Sequence, residues 1–240
     1  MILRAIGNIE TYSEKAEPLL GVFASRKWLE VYGKDITIVG IYKDEHQLVG
    51  GFYYLNTKKY GLTFINFPPY TPHCGLFFTS ESKNKSSINN NSKDVITQVC
   101  KHFSELKPAL IVLAFSSQIQ DLQPFIWEKY KVVPNYTYRI DLQRTLEEIT
   151  SNFDPKNRNV ISKAIKENIE ISENSMNPED LYGFFYNSLK SARANIYSKE
   201  LKNIFHTFSD ATNSFSIVAR KEKEILGTVF CVYDKENCYY

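Results

Sequence analysis

The sequence predicts an α/β protein with α+β mixed sheets, assembled from two copies of one unit of which the second is incomplete. Three observations lead there. Apolar stretches of strand length alternate with amphipathic stretches of helix length through residues 1–142. The chain has 240 residues, 43% hydrophobic and 23% charged, enough to bury the core of one large or two small domains. A hairpin pattern near residue 38 returns near residue 217.

Taken in order, EPLLGVFASRKWLEVYGK (17–34) has Leu20, Phe23, Trp28 and Val31 at broadly helical spacing and Gly33 as a stop. It reads as one helix broken near Ala24. ITIVGIY (36–42) and QLVGGFYYL (47–55) flank the charged turn KDEH as a two-stranded hairpin, and LTFINF (62–67) adds a third strand. That strand runs into PPYTPHCG (68–75), where three prolines and a glycine set a stiff loop. Residues 79–92 are polar and low in complexity, and are expected to form a mobile surface loop. KDVITQVCKHFSELK (93–107) places Val95, Ile96, Val99, Phe103 and Leu106 on one helical face, and Pro108 ends it before the buried strand PALIVLAF. A short helix, IQDLQPFIWEKY, tolerates Pro124 in its first turn, and KVVPNYTYRIDL (131–142) returns as extended chain. The first unit therefore spans 1–142.

Residues 143–240 hold connecting helices and the N-terminal part of the second unit. TLEEITSNF opens on Thr145 and Glu148, spaced as a capping box. In DPKNRNVISKAIKEN, Asp154 is the N-cap, Pro155 sits at N1, and Val160, Ile161, Ala164 and Ile165 form an apolar stripe on an otherwise basic helix. IEISEN is a short strand, two helices follow with Asn177 and Ser198 as N-caps, and SFSIVARKEKEILGTVFCVYD is the second hairpin. Gly50 and Gly227 correspond.

Composition excludes several classes. Twenty-nine Lys and Arg against 27 Asp and Glu leave a net charge of +2, no overall electrostatic reason to bind nucleic acid. The first ten residues contain no secretory apolar run, and 18 consecutive apolar residues occur nowhere, so the expected location is the cytoplasm. Cys74, Cys100, Cys231 and Cys238 include no C-x-x-C pair and read as reduced packing residues. The histidines lack metal-ligand spacing, and no metal site is expected.

The order helix, hairpin, third strand, helix, strand, helix, strand resembles the GNAT acyltransferase fold. The tandem arrangement, with the join YRIDLQRTLEEITSNFDPKNRNVISKAIKEN, resembles the FemAB-like peptidoglycan-bridge aminoacyltransferases and the acetyltransferase-like proteins grouped with them; FASRKWLE, NFPPYTPHCG and YRIDL carry further echoes. The resemblance implies a tandem GNAT-like acyl-CoA N-acyltransferase fold. It also implies transfer of an acetyl or aminoacyl group, from acyl-coenzyme A or aminoacyl-tRNA, to an amine of a cell-envelope or related precursor, either a small molecule or nucleotide-linked. The second unit is expected to continue past NCYY, which looks like the start of its fourth strand, so the sequence reads as a fragment of a longer protein rather than a truncated unit. In the family, the carrier pyrophosphate rests on backbone N–H groups in the loop between the fourth strand and the next helix. The corresponding loop of the first unit is read as PPYTPHCG, which has only Gly75 and loses donors to its prolines, so coenzyme A is not expected to bind there in the standard way. The run Gln47 to Gly51 imitates the phosphate motif but lies inside a strand.

Six residues are candidates for substrate contact. Lys156, Lys163 and Lys166 share one quarter of a helical wheel with Arg158 at its edge; such a face is usually solvated, and the functional alternative gives Arg158 and Lys163 an anionic substrate. By resemblance, Lys199 stands where relatives often place a basic residue facing substrate phosphates, and Arg193 is its neighbour in the same connection. Tyr70 and His73 are candidates to wall an acceptor cleft. His73 and Cys74 are adjacent in extended chain and point apart, which argues against a nucleophile pair. No base is named; a carboxylate or tyrosine between the units is expected. The competing readings are a non-catalytic GNAT-like binding module with degenerate carrier sites, and RNA binding through the 156–166 helix.

Overall fold

The computed structural model describes residues 1–80 and 82–240, so Glu81 of the polar 79–92 segment lies outside the described residues. The elements of the first half are β1 (Ile2–Ala5), α1 (Ile9–Leu20), α2 (Arg26–Glu30), β2 (Ile36–Tyr42), β3 (Leu48–Lys59), β4 (Leu62–Asn66), β5 (Phe77–Phe78), α3 (Lys85–Glu105), β6 (Leu110–Val112) and α4 (Gln123–Trp127). The second half contributes α5 (Leu146–Ser151), α6 (Pro155–Lys166), β7 (Glu170–Glu173), α7 (Pro178–Ser191), α8 (Ser198–Thr207), β8 (Ser214–Lys221), β9 (Glu224–Tyr233) and β10 (Cys238–Tyr239). The strands form two sheets, one ordered β1-β2-β3-β4-β6 with β5 also on β3, the other β10-β9-β8-β7. Every pairing is antiparallel except that of β4 with β6, whose crossover includes α3. The mixed α/β class holds.

Several boundaries move for local reasons. The helix read over 17–34 begins at Ile9, where the Asn8 side chain accepts from the Glu10 N–H, and it gives way at Gly21 to a 3₁₀ turn over Gly21–Ala24. Ser25 then caps α2. Gly21 adopts φ +71, and a Cβ there would lie 2.0 Å from Asp234 Oδ2, so the break is fixed by a residue of the second half. The segment read as a mobile loop is helical from Lys85, because Asn84 Oδ1 accepts from the N–H groups of Ser86 and Ser87. Capping and continuity with the apolar face of α3 carry the helix back over polar residues. Tyr197 rather than Ser198 stands at the N-cap of α8, with no side-chain cap bond.

The stiff loop has a different place from the one expected. Tyr53 N–H donates to Cys74 O, and Phe77 and Phe78 pair with Gly51 and Gly50, so residues 74–78 resume the path along β3 that β4 leaves at Asn66. Residues 67–73 are thus an excursion from within a strand. The strand-to-helix step runs from Phe78 of β5 to Lys85 of α3, which corrects its identification with PPYTPHCG.

The hairpin repeat extends to its irregularity. The β2/β3 register shifts between Ile41 and Tyr42, opposite Gly50 and Leu48; the β8/β9 register shifts between Ala219 and Arg220, opposite Gly227 and Ile225.

The faces differ. In the first sheet, Tyr12, Ala16, Phe23 and Trp28 pack on Ile38 and Tyr53, and this core runs on into the second half through Ile204, Phe208 and Val232. On its other face, Val95, Ile96, Val99 and Phe103 of α3 cover Val39, Ile41, Phe52 and Ile65. The second sheet receives Leu201 and Phe205 of α8, with Leu181 of α7, against Phe230. Ile171 of β7 and Val229 of β9 remain exposed. The apolar stripe of α6 is exposed as well, at Val160, Ile161 and Ile165, because α6 has no buried residue. Nor is PALIVLAF a buried strand: β6 ends its sheet, with Leu110 and Val112 exposed. Residues 131–142 form no strand, and none from 131 to 140 makes a backbone hydrogen bond among the described residues.

Candidate functional site

Three segments of the first half are tied together where it meets the second. Tyr12 of α1 donates its hydroxyl to Gly75 O at 2.5 Å, Cys74 N–H donates to Ala114 O at 2.8 Å, and Gln118 Nε2 donates to Leu19 O at 2.6 Å. Helix α1, the segment that rejoins β3 at Cys74 and the chain after β6 therefore share one floor. Facing it is the β9–β10 turn. Asp234 Oδ2 accepts from Val22 N–H at 3.1 Å while its Oδ1 accepts from the N–H groups of Glu236 and Asn237, each at 2.9 Å. Tyr239 sets its ring against Phe23, centroids 4.7 Å apart. Between floor and turn, and bounded also by residues 130–139, lies a cleft of about 1730 Å³.

Its polar lining is specific. Burial and the neighbouring Asp234 push the Glu17 carboxyl up, against a smaller opposing effect of Lys235. Burial drives the His73 pKa down to about 4, leaving the ring neutral at physiological pH. Its Nδ1 accepts from Gly75 N–H at 3.1 Å, which places the proton on Nε2. Ser13 and Ser116 also line the cleft, and among the described residues theirs are the buried side-chain polar atoms that have no hydrogen-bond partner. Burial raises the Cys74 thiol to about 12, so it carries no thiolate near His73.

Of the six residues singled out in the sequence, only His73 lines the cleft. Tyr70 faces another junction: at φ 59, its hydroxyl accepts from Tyr197 N–H at 3.1 Å and its ring meets that of Tyr197 edge-on. Trp28 Nε1 donates to Thr71 at 3.0 Å and Tyr32 donates to Pro69 O at 2.6 Å, pinning the excursion that presents Tyr70. Two residues beyond Tyr197, Lys199 is exposed and bonds Asp35 at 2.5 Å. Arg193, at φ 53, is exposed in the same connection between α7 and α8. Arg158 donates to Ser151 O at 2.7 Å and Lys163 lies 3.6 Å from Glu167, both on the exposed α6. The candidates therefore divide into a junction holding Tyr70 and Lys199 with Arg193 on the connection leading to it, a separate basic helix with Arg158 and Lys163, and His73 in the cleft.

Ser13, Glu17 and Ser116 escaped the sequence reading. Ser13 occupies a buried position of an amphipathic helix whose first two turns went unread, and a serine after a strand carries no motif. Among the described residues no group of three or more His, Cys, Asp or Glu could hold a metal ion, and no helix is long and apolar enough to cross a membrane.

No protein-family model matches the sequence, and no curated protein matches it. Among solved structures, the chain is similar to a crystal structure of FemX, at 14% identity and a TM-score of 0.53, over 91% of this chain and 57% of that one. It is also similar to a crystal structure of a probable acetyltransferase, at 14% identity and a TM-score of 0.36, over 58% of this chain and 97% of that one. The chain thus spans little more than half the length of FemX, and over that span it shares the FemX fold.

Proposed function

We propose that this chain is the acyl-transferring part of a cytoplasmic enzyme of FemAB-like type, one that moves an acyl or aminoacyl group from a carrier onto an amine of a cell-envelope or related small-molecule precursor. The observation that carries this reading is the cleft at the meeting of the two halves, with a carboxyl of raised proton affinity, Glu17, in its wall. An amine attacking an ester or thioester forms the N–C bond as the C–O or C–S bond breaks. The nitrogen gives up a proton to the Glu17 carboxylate, and the leaving oxygen or sulfur takes one up. In this reading Lys199 and Arg193, on one connection outside the cleft, would meet carrier or substrate phosphates, with Lys199 giving up its pair with Asp35, Tyr70 would wall that junction, and Arg158 and Lys163 would be further cations for an RNA-borne donor.

The first sheet does not fit a standard coenzyme A pyrophosphate site. Residues 79–84 contain no glycine, and Asn84 accepts from the N–H groups of Ser86 and Ser87 at the start of α3. This argues against a standard acyl-coenzyme A site in the first sheet. It also supports the second reading, a non-catalytic GNAT-like binding module with degenerate carrier sites.

A melting-temperature panel with acetyl-coenzyme A, coenzyme A, aminoacyl-tRNA and nucleotide-linked sugars tests both. The enzyme reading expects a rise with one donor and one acceptor, and amine-dependent loss of the acyl group from that donor. Glu17→Gln should then lower kcat by about 10²–10⁴-fold with binding retained. Ligand-induced shifts without acyl loss would leave the binding module standing, and no shift with any compound would remove the enzyme reading.

A further inference from the structure

The cleft floor contains two hydroxyls that the fold does not use. Ser13 is 4% exposed, Ser116 Oγ is buried, and neither has a partner, although a buried hydroxyl left unbonded is destabilising and normally finds one. Both belong to segments tied to the chain around His73: Ser13 follows Tyr12, whose hydroxyl bonds Gly75 O, and Ser116 lies two residues beyond Ala114, whose carbonyl accepts from Cys74. Among the described residues nothing accepts from His73 Nε2–H either. Three neutral donors thus belong to residues that line one cleft, the two hydroxyls lying just beneath its surface, with no acceptor supplied by the protein. Glu14 and Glu17 line the same cleft, which disfavours an anion as the missing partner. A neutral carbonyl oxygen fits: it accepts two or more hydrogen bonds and has no charge for the carboxylates to repel.

We infer that this floor is a carbonyl-binding subsite, in which Ser13 Oγ–H, Ser116 Oγ–H and His73 Nε2–H hold the oxygen of the acyl group in transit. The assignment rests on the acyl-transfer reading above for the identity of the carbonyl. As nitrogen adds to the carbon, the C=O electron pair moves onto the oxygen and returns when the carrier leaves. Donors fixed in advance around that oxygen stabilise the charged stage more than the starting carbonyl.

The test compares the wild type with Ser13→Ala, Ser116→Ala and the double variant. Because the hydroxyls bond nothing in the fold, the double variant should melt at the wild-type temperature or about 2–4 °C above it. A clear fall would show that the hydroxyls serve the fold through an ordered water, and would overturn the assignment. With a donor found active in the panel above, each single variant should lose about 10²–10³-fold in kcat at unchanged KM; retained kcat overturns it. Should the wild type transfer no acyl group, the acyl-transfer reading fails while the subsite stays testable with N-methylacetamide as a carbonyl probe. Titration should then move the backbone amide resonances of Ser13, Ser116 and His73 saturably in the wild type and not in the double variant. No saturable shift, or the same shift in both proteins, overturns the subsite.

Discussion

In the first sheet the bulged hairpin is closed on both faces, by α1 and α2 on one and by α3 on the other; the second sheet, which holds the matching hairpin, has α7 and α8 on one face and leaves Val229 of the hairpin and Ile171 of the adjoining β7 in solvent. The strands obey one local code down to the position of the bulge, yet the code does not decide what they bury. A Cβ at Gly50 would meet Phe77 O at 2.6 Å, because β5 lies against that point of β3. At Gly227, its counterpart, a Cβ would meet nothing within 4 Å. The same glycine is a steric necessity in one sheet and a relic of the hairpin pattern in the other.

Truncating the closed face should have the largest effect. Phe103→Ala, from the helix over the first sheet, should cost about 3–5 kcal/mol in urea denaturation, whereas Ile165→Ala on the open stripe of α6 should stay within about 0.5 kcal/mol. A comparable loss at Ile165 would show that its face is covered in solution and would erase the contrast. Acid provides the next probe, since the closed half buries His73 while His206 of α8 is exposed. The ring is neutral in the fold down to about pH 4 but takes a proton in the unfolded chain below its ordinary 6.5. Its contribution is therefore fully present above pH 6.5 and lost as pH falls toward 4, about 3 kcal/mol in all. Denaturation series across that range should show the loss in the wild type and a flatter profile in His73→Asn; parallel profiles would place the acid sensitivity elsewhere. The smallest effects belong to the glycines. Gly50→Ala should destabilise by about 1–3 kcal/mol, and Gly227→Ala should be neutral or stabilise by up to about 1 kcal/mol. Equal effects would mean that the two bulges share an environment after all.

Much of this fold could be read from residues. Periodicity located both hairpins and the apolar face of α3, and local chemistry located the caps: Thr145 and Glu148 bond reciprocally, and Asp154 accepts from Lys156 N–H. What escaped depends on partners distant in sequence. Gly21 breaks the first helix beneath Asp234, more than two hundred residues away, and Cys74 brings the loop back alongside β3 by bonding Tyr53 and Ala114. Polar composition concealed the first turns of α3, where a single asparagine cap decided the outcome. The cleft was the least legible part. Ser13, Glu17 and Ser116 acquire meaning only when three segments converge, and no spacing along the chain encodes that convergence.

The unpaired stretch 131–142 has a practical consequence. Tyr136 and Tyr138 are 91% and 99% exposed, and Ile140 and Leu142 continue the same alternation along a backbone whose amides and carbonyls are open through residue 140. Such a ribbon is a template for strands of other molecules, and intermolecular β-pairing competes with the monomer as concentration rises. Handling of the isolated chain will be governed by that stickiness before any question of chemistry arises: dilute stocks, or a proline placed in the ribbon, would keep it monodisperse without disturbing a residue that the core depends on.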